Sequence, residues 1–97
     1  MSVAAEVEVL VDVAVLGKEV DSFLSTDMGK FLLYKADEEA QKGLAKLKTV
    51  VHTDAEAVWQ AQAQCWRGES VRAWLEQAVR EGLKAEQILE DREEHGN

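Results

Sequence analysis

Proline is absent from this chain of 97 residues, cysteine occurs once, and aromatic residues make up only 6% of it. A chain without proline that is 46% hydrophobic does not have the composition of a disordered protein. Its single cysteine, Cys65, excludes an internal disulfide, so nothing points to an oxidising compartment and a cytoplasmic location is expected. A domain this short buries a modest core, so its stability is expected to depend on self-association or on a partner.

Basic residues are in the minority. The chain has 19 acidic and 11 basic residues, for a formal net charge of -8. This charge opposes binding to nucleic-acid phosphates and to anionic membrane surfaces. It is spread unevenly, since residues 1–27 carry -5, residues 28–51 carry +2 and residues 52–97 carry -5. Glu6, Glu8 and Asp12 interrupt the apolar start of the chain, so neither a signal peptide nor a membrane span is expected.

Residues suited to catalysis are few and scattered. His52 is predicted to lie in a turn, His95 lies in the tail, and no histidines or cysteines have metal-ligand spacing. Cys65 has no neighbour in the sequence that would activate its thiol. The acidic run at 37–39 cannot converge on one metal ion, because consecutive helical positions point in different directions. The sequence therefore predicts no enzyme activity, no cofactor and no metal site.

Helical periodicity dominates the middle of the chain. Its apolar residues recur at steps of three or four, as one helix face requires: Leu32, Ala36, Ala40, Leu44, Leu47 and Val51. The segment VVHTDAE then supplies a turn, in which Thr53 or Asp54 is suited to cap the next helix. Gly82 is suited to end that helix, whereas Gly68 in its interior indicates a kink or a close helix contact.

The sequence predicts an all-α protein of three to four helices, built around a long helical hairpin of about 28–50 and 54–81. An N-terminal helix of about 7–25 precedes the hairpin, and a short C-terminal helix of about 83–93 follows it. Residues 1–97 are expected to form a single domain with frayed ends at 1–5 and 94–97. A strand at 6–13 is the alternative to the N-terminal helix, but it would have to pair across subunits, so the helix is favoured.

All three tryptophans lie in WQAQAQCWRGESVRAWLEQAV, residues 59–79. Their spacings of seven and eight residues confine them to about 80° of one helix face. Core packing is the favoured interpretation, and it predicts that Trp66→Ala costs about 3–5 kcal/mol. A second apolar face between 71 and 79 implies that part of this surface meets another subunit or a partner. The candidate core or interface residues are Trp59, Trp66, Trp74, Val71, Leu75 and Val79.

Two segments carry a family resemblance. DSFLSTDMGKFLLYKADEEAQKGLAKL at 21–47 and WLEQAVREGLKAEQIL at 74–89 resemble small uncharacterised helical proteins encoded by tailed phages and prophages. The matching positions are mostly packing residues: Phe23, Leu24, Gly29, Leu32, Ala36, Glu39, Trp74, Leu75, Gly82, Ala85 and Glu86. The resemblance implies a viral context, with virion assembly, packaging or interference with a host protein as roles. It assigns no catalytic residue and leaves out the valine-rich start.

Two functions fit these observations. The first is a non-enzymatic helical assembly protein that acts as a homo-oligomer, in the host cytoplasm or associated with the virion. The alternative is an acidic inhibitor or regulator that binds a basic host or viral protein and imitates nucleic acid. Clustering of Glu69, Glu76, Glu81 and Glu86 with the N-terminal acids on one surface would favour the alternative. Both functions have a protein as the partner, with no direct binding to nucleic acid or to a membrane.

Overall fold

The computed structural model describes residues 2–95 and contains three helices in that range: α1, Val3–Leu24; α2, Asp27–Thr49; and α3, Ala55–Glu94. No strand occurs among these residues, so the predicted all-α class is confirmed. Residues 6–13 lie inside α1, in agreement with the favoured helix rather than the alternative strand. The predicted hairpin corresponds to α2 and the first part of α3.

The N-terminal helix begins earlier than the sequence predicted. The Ser2 hydroxyl accepts a hydrogen bond from the backbone N–H of Ala5 at 3.2 Å, which caps the first turn. The fraying expected at 1–5 is therefore wrong for residues 3–5. At the other end α3 continues to Glu94 and residue 95 forms a turn. Met1, Gly96 and Asn97 lie outside the described residues.

A single helix of 40 residues replaces the two predicted for the C-terminal half of the chain. The Asp54 carboxylate accepts a hydrogen bond from the Ala57 N–H at 3.1 Å and so caps the start of α3, as one of the two predicted caps. The predicted end at Gly82 and the separate helix at 83–93 are wrong. Gly82 is buried inside α3, where its missing side chain serves a helix contact instead of a helix end.

The chain divides into two compact units, each containing part of α3. The first, called here the α1 unit, comprises Met1–Thr26 and Leu75–Asn97, so that α1 accompanies the C-terminal part of α3. The second, the α2 unit, comprises Asp27–Trp74, so that α2 accompanies the N-terminal part of α3. A single domain over residues 1–97 stays a prediction.

Glycines set the helix contacts in the α2 unit. A Cβ added to Gly68 would collide with the backbone of Ala36 and Ala40 in α2. A Cβ added to Gly43 would collide with the backbone of Ala61 and Cys65 in α3. The two helices therefore approach closely enough for backbone to meet backbone, which only residues without a side chain permit. Of the two meanings predicted for Gly68, a kink or a close contact, the structure shows the close contact.

Apart from Gln64, the buried residues are small. Alanines at 14, 36, 61 and 85 are buried, and none of the described residues with a large side chain is fully buried. Helices that meet through alanine and glycine remove little apolar surface from water, and burial of apolar surface is the main stabilising contribution to a fold. The large apolar side chains of this chain therefore lie mostly at its surface, which makes that surface the place to look for function.

Candidate interaction surface

The three tryptophans lie on the outer side of α3. Trp59, Trp66 and Trp74 are 67%, 63% and 61% exposed, so the predicted core packing is wrong for all three within one chain. Two residues along a helix correspond to a rotation of ~200°. Ala61 and Gly68, each two positions after a tryptophan, pack against α2, so Trp59 and Trp66 leave α3 on the side opposite this contact. Trp59 also lines a groove with Lys46 and Thr49 of α2. The three tryptophan side chains are called the tryptophan surface below.

Two of the rings contact each other. The ring centroids of Trp66 and Trp74 lie 6.5 Å apart with an angle of 89° between the planes, an edge-to-face arrangement. Ser70 lies four residues from each tryptophan and is only 8% exposed. Side chains four apart are neighbours on a helix, so this serine lies between the two rings. The two rings thus form one continuous apolar feature on α3.

The other three candidate residues lie elsewhere. Val71 is half-buried beside Ala36 and Gly68 on the side of α3 that meets α2. Leu75 and Val79 are half-buried in the α1 unit, where Val79 lines a small cavity with Gly17. The apolar residues of α3 therefore fall into two groups. Val71, Leu75 and Val79 are half-buried, whereas the tryptophan surface is exposed.

Ion pairs join α2 to α3 beside these contacts. Arg72 donates two hydrogen bonds to Asp37, at 2.9 Å to Oδ1 and 2.7 Å to Oδ2, and these bonds lower the pKa of that carboxyl. Arg67 donates to Glu39 at 3.2 Å and likewise lowers its pKa. The paired acids belong to the acidic run at 37–39, so two of its three carboxylates join α2 to α3.

Net charge is confined to one of the two units. The α1 unit contains 12 acidic and four basic residues, whereas the α2 unit contains seven of each. Glu76, Glu81 and Glu86 share the α1 unit with the N-terminal acids, while Glu69 lies in the other unit. Sharing a unit is not clustering on one surface, because steps of five residues rotate Glu76, Glu81 and Glu86 by ~140° each around α3. The net charges of consecutive segments of the sequence, -5, +2 and -5, did not predict this division of charge between the units. The reason is that the α1 unit combines residues from both ends of the chain.

The remaining polar candidates are Cys65 and His52, both in the α2 unit. Cys65 is half-buried, its Sγ lies 3.5 Å from Oε1 of Glu69, and burial and then Glu69 raise the pKa of its thiol. A raised pKa reduces the thiolate that a nucleophile needs at neutral pH. His52 is exposed in the loop between α2 and α3. Within residues 2–95 no group of three metal-ligating side chains comes together.

Sequence reasoning missed several exposed apolar positions. Phe31 and Tyr34 of α2 are 61% and 62% exposed. In α1, valines and a leucine are exposed on both of the helix faces that flank the buried Gly17: Val9, Val11, Val15 and Leu16. Within residues 6–13 the apolar residues alternate with acids, which is the pattern behind the alternative strand. On a helix it instead leaves valines on more than one face.

Comparison with known proteins finds no match, either among protein-family models, among curated proteins or among solved structures. Over the described part of the chain, no helix has the length and apolar character needed to cross a membrane.

Proposed function

We propose that this protein is a non-enzymatic helical assembly protein that forms homo-oligomers through the tryptophan surface. The single observation that carries the proposal is the exposure of three tryptophans along α3, each more than 60% exposed. Fully burying a tryptophan removes about 150–250 Å² from water, so covering these largely exposed rings would bury roughly 300–480 Å². That is about 40–60% of the ~800 Å² that each partner contributes to a stable interface.

A second copy is the partner that fits this surface. Its α2 unit has equal numbers of acidic and basic residues, so two such units meet without net repulsion. Alanines at 55, 63 and 73 lie near the rings on the same side of α3 and leave room for a neighbouring ring. The resemblance to small helical proteins of tailed phages gives the assembly a biological setting, virion assembly or packaging in the host cytoplasm.

The test is the absolute mass in solution, measured by light scattering behind a sizing column over a wide range of concentration. We expect a stable multiple of the 10.8 kDa chain for the wild type and a smaller mass for Trp66→Ala with its helical content retained. Tyr34→Ala is the matched control, since Tyr34 is an equally exposed aromatic residue of the same unit but lies on α2. A monomer at every concentration, or an equal loss of mass in both variants, would contradict the proposal.

A second candidate function is an acidic regulator that binds a basic protein. The observation that favours it is the location of the whole net charge of -8 in the α1 unit. Such a unit repels phosphates and attracts cationic surfaces, and this attraction weakens with salt. The two functions use different units, so one chain is able to perform both.

A further inference from the structure

A groove of about 490 Å³ lies within the α1 unit, between α1 and the C-terminal part of α3. Val7, Val11 and Val15 form one wall at steps of four residues, a row of ~12 Å along the helix. Leu89 of α3 lies across from them, and the buried Ala14 lies between. Val11 and Val15 are 42% and 48% exposed, so these apolar walls are open to a ligand.

Carboxylates border the groove. Its charged lining residues are Lys18, Glu86, Glu90, Arg92 and Glu93. Both cations are paired with acids of the same unit: Lys18 Nζ lies 2.6 Å from Glu86 Oε1, and Arg92 Nη2 lies 3.5 Å from Glu6 Oε2. These pairs neutralise the two cations, so Glu90 and Glu93 leave the border negative. The unit around it has a net charge of -8.

The charge decides which occupant suits this groove. The α1 unit of a second copy would bring the same charge of -8, and repulsion between like charges opposes that pairing. A partner with positive charge would instead be attracted by the same field. Apolar residues at steps of four form the kind of wall against which one face of an amphipathic helix packs.

We infer that this groove binds a basic amphipathic helix of another protein. Its apolar side chains lie against Val7, Val11, Val15 and Leu89, and its lysines or arginines face Glu90 and Glu93. The inference rests on the second candidate function, for which it names the site and the kind of ligand. It does not depend on self-association through the tryptophan surface.

A labelled synthetic peptide tests the inference with the full-length protein. The probe has about 14 residues, ~21 Å as a helix, with leucine at every third or fourth position and lysine elsewhere. Fluorescence anisotropy should show binding that weakens as salt is raised. A scrambled peptide of the same composition, whose leucines do not share one face, should bind at least about tenfold more weakly, which corresponds to ~1.4 kcal/mol. A peptide with glutamate in place of lysine should not bind.

Matched double variants locate the site. Val11→Ser with Val15→Ser changes the groove, and Val9→Ser with Leu16→Ser changes the other side of α1 at equally exposed positions. The first pair should reduce affinity for the helical peptide about tenfold. The second pair should leave it unchanged. Circular dichroism should show the same helical content for both, since all four positions are partly exposed.

Three results would overturn the inference: no binding of the helical peptide, equal binding of the scrambled peptide, or equal effects of the two double variants. Equal binding of the scrambled peptide would reduce the interaction to non-specific attraction by the acidic unit. Trp66→Ala separates this test from the assembly proposal, because it should lower the oligomer mass while it leaves peptide binding intact. Failure of either proposal is therefore visible without failure of the other.

Discussion

Gly17 of α1 and Gly82 of α3 meet backbone to backbone. A Cβ placed on Gly17 would lie 2.7 Å from the Cα of Gly82 and 2.9 Å from the carbonyl oxygen of Ala78. Real Cβ atoms essentially never approach backbone atoms that closely, so any side chain at this position forces the helices apart. The pair thus fixes how closely α1 and the C-terminal part of α3 pack.

Gly17→Ala should therefore destabilise the protein. In the interior of an isolated helix this change would stabilise by about 1 kcal/mol. Here the collision with Gly82 should reverse that sign, with a net loss of about 1–3 kcal/mol in the free energy of unfolding, as for other overpacked contacts. Urea denaturation followed by circular dichroism measures the difference.

Ser22→Ala is the control for Gly17→Ala, because Ser22 is an exposed position of the same helix. It should be neutral or slightly stabilising. A Gly17→Ala protein that is more stable than the wild type would show that the α1 contact is looser than the structure shows.

Trp66→Ala should cost little stability in dilute protein, contrary to the 3–5 kcal/mol expected from the sequence. The ring is 63% exposed, and its main contact in the described chain is the edge-to-face pair with Trp74. Loss of such a pair accounts for about 0.5–1.5 kcal/mol. Self-association would add stability to the wild type as concentration rises, by mass action. The urea midpoint of the wild type should therefore rise with concentration, whereas that of Trp66→Ala should not. A loss of 3 kcal/mol or more at low concentration would place Trp66 in a core.

Much of the fold was predictable, because helix formation depends on residues close in the sequence. The recurrence of apolar residues at steps of three and four predicted helices, and Asp54 as a cap predicted one helix boundary. Both signals are local in the sequence. The role of Gly82 was not predictable in this way. It depends on Gly17, a partner distant in the sequence, and without that partner a glycine near the end of a periodic segment resembles a helix end.

The tryptophan surface was predictable only in part. The spacing placed Trp59 and Trp66 on one side of α3, and the structure shows them on one side. Which side faces α2 depends on how closely the helices approach. A signal was present, since Ala61 and Gly68 form a face of small residues opposite the rings, and such faces allow the closest helix contact. Core packing of the large rings and close contact through the small residues predict opposite faces of α3 as the buried one. The structure buries the face of small residues.

Acid should weaken the α2 unit through its interhelical ion pairs. Hydrogen bonds from Arg72 hold the pKa of Asp37 below its ordinary value. A carboxyl with a lowered pKa in the folded state contributes stability that is full above its ordinary pKa and is lost as pH falls through the folded value. For Asp37 that loss begins below about pH 4. The urea midpoint should therefore fall as the pH drops below about 4, and Asp37→Asn should make the fall less steep.

Asp12→Asn is the control for this pH dependence, since Asp12 is an exposed acid of α1 and lies outside the α2 unit. It should leave the contribution of the Asp37–Arg72 pair intact. If Asp37→Asn and the wild type lose stability in parallel as pH falls, the pair does not couple the folding of this unit to pH.

Cys65 should react slowly with alkylating reagents in the folded protein. Burial raises the pKa of its thiol, and the nearby Glu69 carboxylate, 3.5 Å from Sγ, raises it further. Because the thiolate is the reactive form, the rate with iodoacetamide at neutral pH should lie below that of the same chain unfolded in urea. Glu69→Gln removes the smaller of the two causes and should accelerate the folded-state reaction modestly, while Glu56→Gln, an exposed acid at the start of α3, should not. A folded-state rate equal to the unfolded rate would mean that the contact of α3 with α2 at Gly43 does not shield this thiol.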